Sequence, residues 1–143
     1  MDTLQLQVGV KALLFNSEGA LLLLKSSKLR GENLVDIWDI PGGRIAPGEQ
    51  LLDALAREIK EETGLTLASE PTLLTAQDII PAGKNIHVIR LTYCTKATGS
   101  ITLSDEHSDY AWADPSELNS YPIDLYVLRV LKDYHDKCLD AAS

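Results

Sequence analysis

Apolar residues come in short bursts over the first forty positions, then recur at helical spacing, then return to bursts before a last helical stretch. Val8 to Asn16 is apolar-rich, Asn16-Ser17-Glu18-Gly19 carries turn chemistry, and Ala20 to Lys25 is apolar again, which predicts a β-hairpin. The polar run Lys25 to Asn33 predicts a loop, followed by a short extended piece through Trp38-Asp39-Ile40 that ends at Pro41-Gly42-Gly43. From Gln50 to Thr63, Leu51, Leu52, Leu55 and Ile59 recur at helical spacing beside Ala54, and Gly64 is placed to cap the helix. Thr72 to Ile80 and Asn85 to Lys96 read as strands, and Ile101–Leu103 and Tyr110–Ala113 as shorter extended pieces. Asp114-Pro115 is a helix start, and the final helix, about Ile123 to Cys138, bears Leu125, Leu128 and Leu131, with Val127, Val130 and Tyr134 widening the stripe. Strand pairs on either side of a central helix, with a second helix at the end, predict an α/β protein whose mixed sheet is covered on both faces.

Composition narrows the partners more than the fold. At 143 residues one domain is the expectation. The formal charge of −8 lacks the basic footprint of a protein that wraps long nucleic acid. An anionic small molecule would also be repelled, so its binding has to depend on local cations. No run approaches the roughly 20 apolar residues of a membrane span, and MDTLQLQ lacks the basic and apolar regions of a secretory signal, so the expected location is cytoplasmic. Cys94 and Cys138 stand in no metal-type spacing and read as reduced, structural thiols.

The chemistry lies on the polar side of the central helix. Glu58, Glu61 and Glu62 are related as i, i+3 and i+4 and project from one face. Like charges at that spacing weaken a helix unless a cation sits among them, so the pattern predicts a metal. Magnesium takes one or two carboxylates plus phosphates and waters, which makes Glu58 and Glu62, one turn apart, the first ligands; manganese shares the preference. Glu61 is a further ligand or a positioner of the nucleophile. Arg57, four residues before Glu61 and eight after Glu49, can pair with either carboxylate and so orient the ligands.

The fixed positions run Gly43, five residues, Glu49, seven residues, Arg57-Glu58-Ile59, one residue, Glu61-Glu62, one residue, Gly64-Leu65. Seven fixed identities at roughly 7% each would coincide at a given start point with odds on the order of one in a hundred million. The stretch resembles the signature of the Nudix hydrolases at every fixed position, and the resemblance extends over about residues 6–139 as one domain. It implies an α/β/α sandwich with a mixed sheet. It also implies a metal-dependent pyrophosphohydrolase that cleaves a diphosphate linkage in a nucleoside diphosphate derivative. A nucleoside triphosphate is favoured over ADP-ribose, a nucleotide sugar or a dinucleotide polyphosphate, because no extra N-terminal segment is evident for embracing a dimer partner; the chain would act as a monomer or homodimer. The alternative is a non-catalytic nucleotide-sensing module of the same fold, against which stands the presence of all three carboxylates.

The same resemblance gives the Gly43 carbonyl a place on the metal and directs attention to a glutamate in a loop near the C-terminal part of the sheet as general base. Glu106 stands where that loop should fall, and the adjacent His107 is a weaker candidate, since a lone histidine in a polar loop is usually solvated. Trp38, Arg44 and Arg90 are candidate substrate contacts, with Lys25, Lys28 and Arg30 as further cations. Trp38 precedes the motif loop, and Arg90 interrupts an apolar run.

Overall fold

The computed structural model describes residues 3–30 and 32–142, with side chains described except at 28–30 and 134–142. Strand β1 (Gln5–Phe15) and strand β2 (Leu21–Arg30) meet where Phe15 pairs with Leu21, then join different partners. β1 runs parallel to β7 (Ile86–Thr98) along its whole length and antiparallel to the three-residue β4 (Gly42–Arg44). β2 lies between β3 (Asn33–Asp39) and β8 (Asp109–Ala113), both antiparallel to it. β5 (Thr66–Leu67) and β6 (Thr72–Ile79) complete the mixed sheet along β7.

The apolar bursts are strands buried on both faces, as a near-continuous hydrophobic run requires. Val10, Ala12, Leu14, Leu22 and Leu24 point to one side, where they meet Ala54, Leu55 and Ile59 of helix α1 (Leu51–Thr63). Leu13, Phe15, Leu21 and Leu23 point to the other and meet Val127, Val130 and Leu131 of helix α2 (Leu125–Ala142). The result is an α/β/α sandwich. Gly64 ends α1 with φ +76°, its N–H bonded to the Lys60 carbonyl at 2.9 Å, a left-handed cap that glycine adopts without cost. No helix among the described residues is long and apolar enough to cross a membrane.

Several expectations change. Lys25 to Asn33 is mostly strand, not loop: β2 and β3 pair from Leu24↔Asp39 to Arg30↔Asn33. Backbone pairing holds such a hairpin together without an apolar stripe. Ile101–Leu103 is not a strand; Thr102 within it and Ser104 just after it instead donate their N–H groups to the Thr63 and Glu62 carbonyls at the end of α1. The turn foreseen at Pro41-Gly42-Gly43 continues directly into β4. Asp114 does cap a helix, but a single 3-10 segment, Pro115–Ser120. In α1 the buried apolar positions are Ala54, Leu55 and Ile59, while Leu51 and Leu52 are exposed; among the described side chains of α2 they are Val127, Val130 and Leu131, while Leu125 and Leu128 are exposed. Tyr134 lies outside the described side chains. Cys94, expected as a thiol, is disulfide-bonded; Cys138 also lies outside the described side chains.

Candidate active site

Two short backbone links fasten the motif loop to the helix. Gly42 donates its N–H to Glu62 Oε1 at 2.7 Å. At Gly43 a methyl group would stand 2.5 Å from Glu58 Cδ, so only a residue without a side chain lets the backbone lie against that carboxylate. β4 holds the loop in place by pairing Gly42 with Lys11 and Gly43 with Val10.

Arg57 organises the carboxylates around it. Its Nε and Nη2 grip Glu49 at 2.6 and 2.9 Å, a bidentate pair, and its Nη1 reaches Glu58 at 2.9 Å and Glu61 at 3.2 Å. The pairing foreseen with Glu49 or Glu61 is thus made with both, and with Glu58 as well. The Arg57 hydrogen bonds, helped by the Ala46 N–H, hold the Glu49 carboxyl down at about 2. Arg57 itself is shifted upward, chiefly by its hydrogen bonds to Glu49 and Glu58.

Glu62 differs from its neighbours because it is only 6% exposed, at the buried edge of a face that the helical pattern had assigned to solvent. Burial pushes its carboxyl up to about 7, with Glu58 and Glu106 adding to the rise and the Gly42 N–H and Lys11 opposing it. Glu61, by contrast, is largely exposed.

The loop that ends in Glu106 and His107 closes on this edge, anchored by the Thr102 and Ser104 N–H bonds to α1. Donor atoms of Glu62, Glu106 and His107 lie within 4.8 Å of one another. His107 is not solvated as expected from its polar surroundings: its side chain is 11% exposed and its Nε2 stands 3.6 Å from Glu62 Oε2. No periodicity marks this; only the distance between a loop and a helix end reveals it.

Beside Gly43 a cleft opens on the β1–β7 surface, lined by Gly9, Lys11, Arg44, Lys84 and Arg90. Arg44 and Arg90 were foreseen there, whereas Lys11 and Lys84 were missed, being ordinary residues in a strand and a turn. Lys11 Nζ bonds Asp39 Oδ2 at 2.9 Å. Burial opposes ionisation of Asp39, yet Lys11 and the Ile40 N–H hold its carboxyl below the ordinary range. Arg90 lies over the Tyr126 ring with Asp124 at 3.9 Å, and its buried Nη1 has no hydrogen-bond acceptor among the described residues. Trp38 is outside the cleft lining: its ring packs edge-on against Tyr121 at 5.1 Å, under the Lys25 ammonium. Side chains 28 and 30 are not described.

A carboxylate-bearing helix fastened to a glycine loop, inside this sandwich, matches the NUDIX domain family model over residues 5–133, and the chain belongs to that family. It is therefore a hydrolase acting on nucleoside phosphate anhydrides. It is 34% identical over 128 residues to a nucleoside triphosphatase, NudI, of Escherichia coli, covering 83% of this chain and 90% of that one. The crystal structure of a MutT NUDIX hydrolase from Burkholderia pseudomallei superposes with a TM-score of 0.75 at 28% identity, over 90% of this chain and 97% of that one. A NUDIX hydrolase from Nitrosomonas europaea shares the fold with a TM-score of 0.76 at 22% identity, over 97% of each chain.

Proposed function

We propose that the protein is a divalent-cation-dependent pyrophosphohydrolase of nucleoside triphosphates, formed as one domain over residues 6–139. The observation that carries this reading is the convergence of Glu58 and Glu62 on the Gly42-Gly43 backbone, with Glu106 brought to the same edge. The name of the Escherichia coli relative supports a triphosphate over the other diphosphate derivatives.

The residues fit a hard cation. Gly43 carries no side chain where one would fill the space against Glu58, and the donors are chiefly carboxylate oxygens, the set that magnesium and manganese accept. Glu58, Glu62 and the Gly43 carbonyl are the proposed holders, with Glu61 reaching from the exposed side of the helix. Bound there, the cation would neutralise charge on the phosphates and lower the pKa of a water.

The chain's own residues do the rest. Arg57 is a positioning residue: four hydrogen bonds from its guanidinium fix Glu49, Glu58 and Glu61 in one array. Glu106 accepts a proton from the attacking water, whose oxygen joins one phosphorus as the bond from that phosphorus to the bridging oxygen breaks; pyrophosphate and a nucleoside monophosphate leave. Lys11, Arg44, Lys84 and Arg90 hold the anionic substrate in a cleft that offsets the chain's negative charge, while Trp38, packed edge-on against Tyr121, lies outside its lining. A panel of nucleoside triphosphates, ADP-ribose, nucleotide sugars and dinucleotide polyphosphates, assayed for pyrophosphate and monophosphate release, tests the assignment. Turnover confined to ADP-ribose or nucleotide sugars would contradict it.

A further inference from the structure

We propose that His107 is a metal ligand, and that the cation position on the Glu106 side of Glu62 is a mixed nitrogen and oxygen site that favours manganese over magnesium. The inference rests on the cation-dependent reading above and goes beyond it, because that reading calls only for oxygen donors.

The geometry points to a shared cation rather than to a direct bond. His107 Nε2 and Glu62 Oε2 are 3.6 Å apart, too far for a hydrogen bond, which needs about 2.7–3.2 Å. Two donors bound to one cation at about 2.1 Å stand about 3.0 Å apart when adjacent in an octahedron, so a shared cation would draw the 3.6 Å pair together by about 0.6 Å. Glu106 supplies a third donor to the same group through one carboxylate oxygen, which leaves its other oxygen for the attacking water.

The backbone holds this spacing. Glu62 Oε1 is occupied by the Gly42 N–H, which turns Oε2 toward His107. The Glu62 carbonyl accepts the Ser104 N–H, and the Ser104 carbonyl accepts the His107 N–H at 3.3 Å, so one residue of α1 ties the loop at both its backbone and its side chain.

Donor chemistry then sets the preference. Magnesium takes oxygen and rarely leaves its waters for an imidazole, whereas manganese and the later divalent transition metals accept imidazole nitrogen with rising affinity. A carboxylate, carboxylate, imidazole set therefore discriminates against magnesium where carboxylates alone would not.

The test uses manganese as the probe on the full chain. Electron spin-echo envelope modulation of bound Mn2+ should show nitrogen coupling in the wild type. The coupling should vanish in His107→Gln and persist in His87→Gln. Titration of Mn2+ against Mg2+ should show the manganese preference falling by about tenfold or more in His107→Gln, the scale for losing one supporting group at a metal site. Bound Mn2+ without nitrogen coupling in the wild type would overturn the inference while leaving the cation-dependent hydrolase standing, and so would coupling unchanged in His107→Gln. Failure of the wild type to bind Mn2+ at all would overturn both. The wild-type spectrum is decisive even if the variant is poorly folded.

Discussion

At the scale of single residues, Glu62 is where charge, burial and chemistry meet. Glu58→Gln and Glu62→Gln should each slow hydrolysis by about a hundredfold or more, the effect of removing a group that stabilises developing charge; steady-state rates on a triphosphate check this. Glu62 also couples folding to pH in the metal-free protein. Its carboxyl is raised from 4.5 to about 7, so the folded chain holds a proton that the unfolded chain gives up. That stabilisation is complete below about pH 4.5 and is lost as pH rises to about 7, a change on the order of 3 kcal/mol. Urea melts of metal-free protein should show the wild type losing stability from pH 5 to pH 8 and Glu62→Gln losing much less. Identical slopes would place the proton elsewhere. The sequence made Glu58, Glu61 and Glu62 visible as a trio because helical spacing is geometric, but it could not tell the buried member from the exposed one. Burial of Glu62 comes from the loop that folds over the helix end, a non-local event.

At the scale of elements, the motif loop, α1 and the loop before β8 form the working unit. The two glycines of the motif loop should respond differently to alanine. At Gly43 the new methyl meets the far end of the flexible Glu58 side chain, which can swing aside. Stability should change by less than about 1 kcal/mol while metal affinity falls by at least about tenfold. At Gly42, with φ +148°, the methyl meets the Val10 carbonyl and Lys11 backbone, which cannot yield, and the loss should be about 2–3 kcal/mol. Thermal melts and calorimetric cation titrations separate the two. For the loop before β8, Glu106→Gln should lower kcat with KM nearly unchanged, since a base acts mainly in the transition state. Partial rescue by excess cation would limit Glu106 to holding the cation, and activity within about twofold of wild type would remove it from the site.

The elements themselves were legible to different degrees. The apolar bursts of β1 and β2 and the helical leucines of α1 announced themselves because burial imposes a period. The β2–β3 hairpin did not, since Lys25, Ser26, Ser27 and Lys28 hold their strand by backbone pairing with residues 35–38 rather than by an apolar face. Residues 101–103 look extended but bond to the end of α1, where an unpaired carbonyl competes with the sheet. The extra turn of leucines at each helix start, Leu51 and Leu52 in α1 and Leu125 in α2, continues the period past the point where the sheet still covers it.

At the scale of the whole molecule, a chain with net charge −8 has to receive a polyanion. On the proposed reading it does so by gathering Lys11, Arg44, Lys84 and Arg90 into one cleft next to its carboxylates, an arrangement that total charge conceals and only the fold reveals. On that reading the cation is central: without it, Glu58, Glu61, Glu62 and Glu106 would repel the phosphates that the cleft would attract. The most direct measurement is the initial rate of pyrophosphate release from a nucleoside triphosphate in magnesium, in excess chelator, and after magnesium is restored. Hydrolysis should fall to background in chelator and return with the cation, while the far-ultraviolet circular dichroism stays that of the folded protein. Full turnover in excess chelator would contradict the account.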